Sequence, residues 1–253
     1  MAVALVTGAS SGIGRSLARR IAAHGDAVAV LARRKPLLDE LVAEIEGAGG
    51  RALALACDVT ERAAVREAVR EVERRLGPVA CLVANAGGGE PSFVDRFRAE
   101  QIEAALRLNV VGVANCIEAV LPGMLARGAG QLVAMGSLAG EHGLPTAAAY
   151  SAAKAALRNM MESLRIDLRG RGVAVTLIAP GPVRLKPKSK KRRLLSVDVE
   201  DATARMHRAI LRREPYLAFP RAPALGMALL RALPVSLSDR LLAGRGRAPK
   251  EGR

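Results

Sequence analysis

The sequence predicts an α/β protein: a Rossmann-like doubly wound parallel sheet of about seven strands with a C-terminal helical extension. Short apolar runs at residues 3–6, 27–31, 52–56, 79–84, 131–135 and 173–178 alternate with amphipathic segments at about 12–24, 36–48, 60–76, 99–127 and 149–170. The short runs are unbroken, as expected of strands covered on both faces. A regular strand–helix alternation of this kind specifies a doubly wound sheet, with ligands bound beyond the carboxyl ends of its strands. The chain of 253 residues is long enough for one large α/β domain. Half the residues are hydrophobic but only 2% are aromatic and Trp is absent, so the core must be built from Ala, Val, Leu and Ile.

The first strand runs into Thr7-Gly8-Ala9-Ser10-Ser11-Gly12-Ile13-Gly14 and then a helix. Glycines at a strand-to-helix turn let the backbone approach a pyrophosphate, which then meets the free amides and positive dipole of the helix N-terminus. The second strand ends at Ala32-Arg33-Arg34, where a carboxylate would accept from a free ribose 2′-hydroxyl and an arginine would pair with a 2′-phosphate. Arg33, helped by Arg34 and Arg15, favours NADP(H) over NAD(H); the alternative is a set of solvated helix-start arginines. After the fifth strand, Ser137 falls where the ligand crevice of the sheet is expected, and a hydroxyl there can donate to a carbonyl oxygen. In the next helix Tyr150 and Lys154 lie one turn apart on one face. An ammonium close to a phenol stabilises the phenolate and brings its pKa toward the working range.

Together these motifs resemble the short-chain dehydrogenase/reductase family, in its single-domain form, over residues 1 to about 183. The resemblance implies an NADP(H)-dependent enzyme interconverting a carbonyl and an alcohol, with no metal. Thr7 to Gly14 matches the TGxxxGIG cofactor turn, and Asp58, followed by Val59, matches the acidic residue that contacts the adenine. Asn85-Ala86-Gly87 matches the motif that braces the sheet near the cofactor. Asn109, Ser137, Tyr150 and Lys154 match the catalytic tetrad. By that resemblance Tyr150 protonates the carbonyl oxygen and Ser137 polarises it. Lys154 lowers the tyrosine pKa and holds the nicotinamide ribose, while Asn109 positions a water for proton resupply. Pro180-Gly181 and Val183 match the PGxV turn beside the nicotinamide. The family usually continues with a Thr where this sequence has Leu185, a loss of one hydrogen bond worth about 0.5–1.5 kcal/mol.

Residues 1–243 are accordingly read as one cofactor-binding unit, with 184–243 its substrate flap and C-terminal extension and 244–253 a frayed tail. Residues 1–183 hold 21 Lys+Arg against 18 Asp+Glu, whereas 184–253 hold 18 against 6, so most of the +15 net charge belongs to the tail. A run at 184–193 (RLKPKSKKRR) carries much of it. Without a recognition motif or interleaved aromatics, no specific nucleic acid is expected there. An NADP-binding sensor of the same fold with little turnover is a competing reading, opposed by the intact tetrad; an electrostatic binding module is another. A flap and helix are expected over 194–210 near the cleft, then a short strand at 216–219. Residues 224–242 pair apolar side chains with arginines, and two readings stay open: packing on the body or a partner subunit, or weak peripheral membrane contact with delivery of a lipophilic substrate.

Cys57, Cys81 and Cys116 lack metal-ligand spacing and read as buried small hydrophobes. His24 suits the end of the first helix, His207 is expected on an exposed helix face, and His142 faces either substrate or solvent. Ala152, Ala153, Ala155 and Ala156 permit close helix approach, and with the resemblance they suggest a homodimer or homotetramer. The absence of an uncharged apolar run of membrane-spanning length and of room before the first strand suggests a cytoplasmic protein.

Overall fold

A computed structural model describes residues 2–185 and 195–244. The principal sheet has seven parallel strands in the order β3-β2-β1-β4-β5-β6-β9. These are β1 (Val3–Thr7), β2 (Ala27–Ala32), β3 (Arg51–Ala56), β4 (Val79–Ala84), β5 (Gly130–Met135), β6 (Val173–Pro180) and β9 (Tyr216–Phe219). The order reverses at β1, which pairs with β2 on one side and β4 on the other, so the crevice for a ligand opens there. Two short strands, β7 (Val183–Arg184) and β8 (Val197–Asp198), form a separate parallel pair.

Helices cover both faces because alternate strand residues point to opposite sides. On one face α3 (Arg62–Leu76), α5 (Gly112–Arg127) and α6 (Ala148–Asp167) pack Val65, Ile117, Val120 and Leu157 against Leu5, Leu82 and Leu132. On the other, α1 (Gly12–Ala23), α2 (Lys35–Gly47) and α7 (Val199–Leu211) pack Leu17, Leu41 and Met206 against Val6, Val30 and Val133. Leu82 and Leu132 are fully buried, and truncating either to Ala should cost about 2–5 kcal/mol. The segment expected as one helix over 99–127 is interrupted: α4 (Ala99–Leu106) leads into a π-helical turn at Arg107–Val111 before α5. Its length and hydropathy would suit a membrane span, yet Ile117, Val120 and Met124 lie in the core.

The helix expected within 194–210 is α7; it follows β8 and packs on α1, where Thr203 Oγ1 and Ser16 Oγ lie 2.8 Å apart. Two expectations need correction. His207 is buried rather than exposed, edge-on to His24 with ring centroids 5.2 Å apart. Ala153, one of the alanines assigned to a subunit contact, is buried against α4 of its own chain. Cys57 and Cys116 are buried and Cys81 is partly buried against the second core layer; burial pushes their thiols up to about 11, 12 and 12 respectively. Beyond β9, α8 (Arg221–Ala232) and α9 (Val235–Leu242) run over the surface. The basic run at 186–193 and the tail beyond 244 lie outside the described residues.

Candidate active site

The turn after β1 is fixed by contacts with the end of β4. Gly8 has φ +64°, and a Cβ there would stand 2.8 Å from Cα of Ala86, so only glycine fits. At Gly14 a Cβ would lie 2.5 Å from the Gly8 carbonyl oxygen. Thr7 Oγ1 accepts from the backbone amides of Asn85 (3.0 Å) and Ala86 (2.9 Å), while Asn85 Nδ2 donates to the Thr7 carbonyl (2.9 Å). Ser11 sits at the N-cap of α1 without a side-chain cap, and the first turn of α1 holds no acidic residue. Its amides are thus left for an anion. Ile13 packs inward on the core behind the turn.

Beside the turn lies a cleft of about 220 Å³ lined by Gly8, Ser10, Arg33, Arg34, Asp58 and Gly87, among others. Arg34 donates to Ser10 Oγ (2.9 Å) and Ser11 Oγ (3.0 Å), which holds its guanidinium over the turn. The Arg33 side chain is 81% exposed and reaches only to 4.0 Å from Asp58. Arg15, expected as a helper, is engaged elsewhere: it pairs with Glu44 and donates to the Leu37 carbonyl. Asp58 Oδ1 accepts from the Thr60 amide and hydroxyl, both at 2.9 Å; the amide chiefly holds the carboxyl below its ordinary range. Val59 is buried behind it. Open helix amides, a glycine cradle, a guanidinium and a carboxylate are groups suited to hold a dinucleotide.

At the carboxyl end of β5, Ser137 begins a 3₁₀ turn (Leu138–Gly140), and its Oγ accepts from the Ala139 amide at 3.1 Å. Tyr150, in the first turn of α6, lies close enough to the Ser137 hydroxyl for that group to bear on its pKa. Lys154 is 4% exposed; its Nζ donates to the Met135 carbonyl at 2.7 Å and lies 5.6 Å from the Tyr150 ring centroid. Burial lowers the Lys154 pKa to about 8 and raises that of Tyr150, against the neighbouring Ser137 hydroxyl, which lowers it. Burial of the phenol thus works against the lowering expected from Lys154.

Asn109 is fully buried in the π-helical turn. Such turns are frequent at functional positions because they displace one residue from the helical ladder. Its Nδ2 donates to the carbonyls of Gly88 (2.7 Å) and Ala105 (2.9 Å), and its Oδ1 accepts from the Gly88 amide (3.2 Å). A Cβ on Gly87 would stand 2.8 Å from Asn109 Oδ1 and 3.2 Å from Lys154 Nζ, so the loop after β4 lies close to both. The four residues matched to the tetrad thus converge around the ends of β4 and β5.

Pro180 closes β6, the Gly181 amide donates to the Phe219 carbonyl (2.7 Å), and Val183 opens β7. Leu185 lies over the phosphate turn, since a Cβ on Gly12 would be 3.3 Å from its Cδ2. His142 is half-buried, with Nδ1 2.8 Å from the Gly143 carbonyl oxygen. One cluster escaped the sequence reading. The Glu141 carboxylate accepts from Arg158 of α6 and from the Tyr216 hydroxyl (2.8 Å), while Arg231 of α8 donates to the Glu141 carbonyl (3.2 Å). Its members are far apart in sequence, and the only hint was that Tyr216 is the second of two tyrosines.

A parallel sheet reversing at β1, with a glycine turn at the switch point and a Ser–Tyr–Lys–Asn set beside it, defines a nicotinamide-dependent oxidoreductase fold. The short chain dehydrogenase family profile matches residues 2–194, and the chain belongs to that family. It is 40% identical over 238 residues to an uncharacterized oxidoreductase of Myxococcus xanthus, covering 93% of this chain and 94% of that protein. It is 36% identical over 179 residues to the 3-oxoacyl-acyl-carrier-protein reductase FabG of Staphylococcus epidermidis, covering 70% of this chain and 73% of that one. Among solved structures, a short chain dehydrogenase/reductase from Burkholderia phymatum in complex with NAD superposes with TM-score 0.83 at 25% identity, covering 100% of this chain and 97% of that one. An alcohol dehydrogenase from Thermococcus sibiricus complexed with 5-hydroxy-NADP gives 0.78 at 26%, covering 87% and 96%. Relatives thus bind nicotinamide dinucleotides of both kinds.

Proposed function

We propose that the protein interconverts a small-molecule carbonyl compound and its alcohol with NADP(H), without a metal. The observation that carries this reading is the convergence of Ser137, Tyr150, Lys154 and Asn109 beside the phosphate turn. A bound nicotinamide dinucleotide would supply or accept the hydride. Tyr150, whose pKa burial raises, gives the proton from its phenol oxygen to the carbonyl oxygen. Ser137 Oγ donates to that same oxygen and orients it. The Lys154 ammonium stabilises the phenolate left behind. Asn109 braces Gly88 and so holds the loop beside Lys154, where a water linked to solvent would resupply the proton.

The preference for the 2′-phosphorylated cofactor rests on Arg34, held at the phosphate turn, with Arg33 free to swing in from solvent. Tyr150→Phe should leave cofactor titration unchanged and lower turnover over a panel of carbonyl compounds about 100- to 10,000-fold. Turnover close to the parent's would remove Tyr150 from the chemistry and the reading with it.

A further inference from the structure

The two helices after β9 present apolar side chains in two directions. On α8, Ala224, Met227 and Leu230 pack inward on Leu138 and Ala179, so this helix backs the turn that begins at Ser137. One turn apart on another face, Leu225 and Leu229 are 62% and 58% exposed. On α9 the pattern repeats: Ser238 is buried, while Val235, Leu237 and Leu241 are exposed. Five large apolar side chains on 22 residues exceed the scattered exposure normal for a soluble surface.

The charge on this surface selects its partner. Arg221, one turn before Leu225, and Arg240 on α9 stand against a single carboxylate, Asp239, and no carboxylate lies within ion-pair distance of these two arginines among the described residues, while Arg231 is turned inward to the Glu141 carbonyl. The whole segment 184–253 carries 18 basic and 6 acidic residues. A second copy of the chain seated two-fold on this face would bring positive against positive. An anionic bilayer instead pairs the arginines with headgroups and takes the leucines into the acyl boundary.

We infer that α8 and α9 lie in the interface of an anionic membrane, and that the substrate is a lipophilic carbonyl compound partitioned in that membrane. The substrate clause rests on the proposed oxidoreductase activity; the surface itself does not. The inner face of α8 packs on Leu138, the residue after Ser137, so this surface adjoins the turn that carries the serine.

The test is co-sedimentation of the full chain with vesicles of phosphatidylglycerol and phosphatidylcholine in equal parts, and with phosphatidylcholine alone, at about 10 mM and about 300 mM salt. Binding is expected to the anionic vesicles at low salt and to fall at high salt. The double variants Leu225→Glu/Leu229→Glu and Leu237→Glu/Leu241→Glu should each bind at least about tenfold more weakly, with unchanged turnover of a short, water-soluble aldehyde. Long-chain aldehydes should be turned over faster when anionic vesicles are present. Failure of the intact chain to sediment at low salt overturns the inference, as does undiminished binding by both variants, which would assign the effect to loose charge alone. A variant that changes the oligomeric state gives the face to a second copy and overturns it too. Absence of turnover of every aldehyde, with sedimentation as expected, would remove the oxidoreductase reading and leave the membrane surface standing.

Discussion

At Lys154 the fold sets a charge against its surroundings: a 4% exposed ammonium has one carbonyl, that of Met135, at 2.7 Å, and desolvation lowers its pKa to about 8. If the charged form supports the phenolate, kcat/KM for reduction falls as pH rises through about 8, because the ammonium loses its proton there. A profile that stays flat through that range in stopped-assay measurements would separate Lys154 from the reaction. The second residue-scale expectation concerns Arg34. Its loss in Arg34→Ala removes a charge-assisted contact worth about 1.5–3 kcal/mol, so NADPH should weaken about 10- to 100-fold while NADH changes little. Arg33→Ala should do less, since its side chain is mostly in solvent. Fluorescence titration of both cofactors checks this, and an intact protein that prefers NADH would refute it. The motif residues were legible because each motif is contiguous or one helical turn long. The diversion of Arg15 to Glu44 was not, because the competing carboxylate lies on another helix.

Between elements, the 3₁₀ turn after Ser137 is tied to three partners at once: α6 through Arg158, β9 through Tyr216 and α8 through Arg231. Glu141 is the common member, and its side chain is only 13% exposed. Glu141→Ala removes the protein acceptor of the exposed Tyr216 hydroxyl and loosens Arg158, which keeps Glu162. Stability should fall by about 1–3 kcal/mol in urea unfolding, and kcat should fall with KM for the cofactor unchanged, as Ser137 is less well held. An unaltered kcat with reduced stability would make the cluster structural only. This network was illegible in the sequence, since Glu141 and Tyr216 are separated by 75 residues and neither sits in a motif. The π-helical turn around Asn109 was equally hidden, because apolar spacing over 99–127 reads as one continuous helix. The packing of α7 on α1 was hidden for a related reason: periodicity gives a helix's apolar face but not the face it meets.

For the molecule as a whole, the strand–helix alternation sufficed for the sheet and its seven parallel strands, because burial on both faces leaves a strong sequence signature. What alternation cannot give is assembly. The exposed side of α6, with Ala152, and the exposed Val111 at the start of α5 are surfaces through which a homodimer is expected, distinct from α8 and α9. Light scattering at micromolar concentration should return at least a dimer, and a monomer at every concentration would refute this.

The tie between Thr7 and Asn85 has a temporal consequence. It joins positions 78 residues apart, and β1 cannot acquire its second neighbour until β4 has been made. A chain growing from its N-terminus therefore carries the glycine turn long before that turn has a shape. A nucleotide can grip the turn only after β4 has been made, so it stabilises the folded protein by mass action and gives no help to the earliest, aggregation-prone stages of its birth.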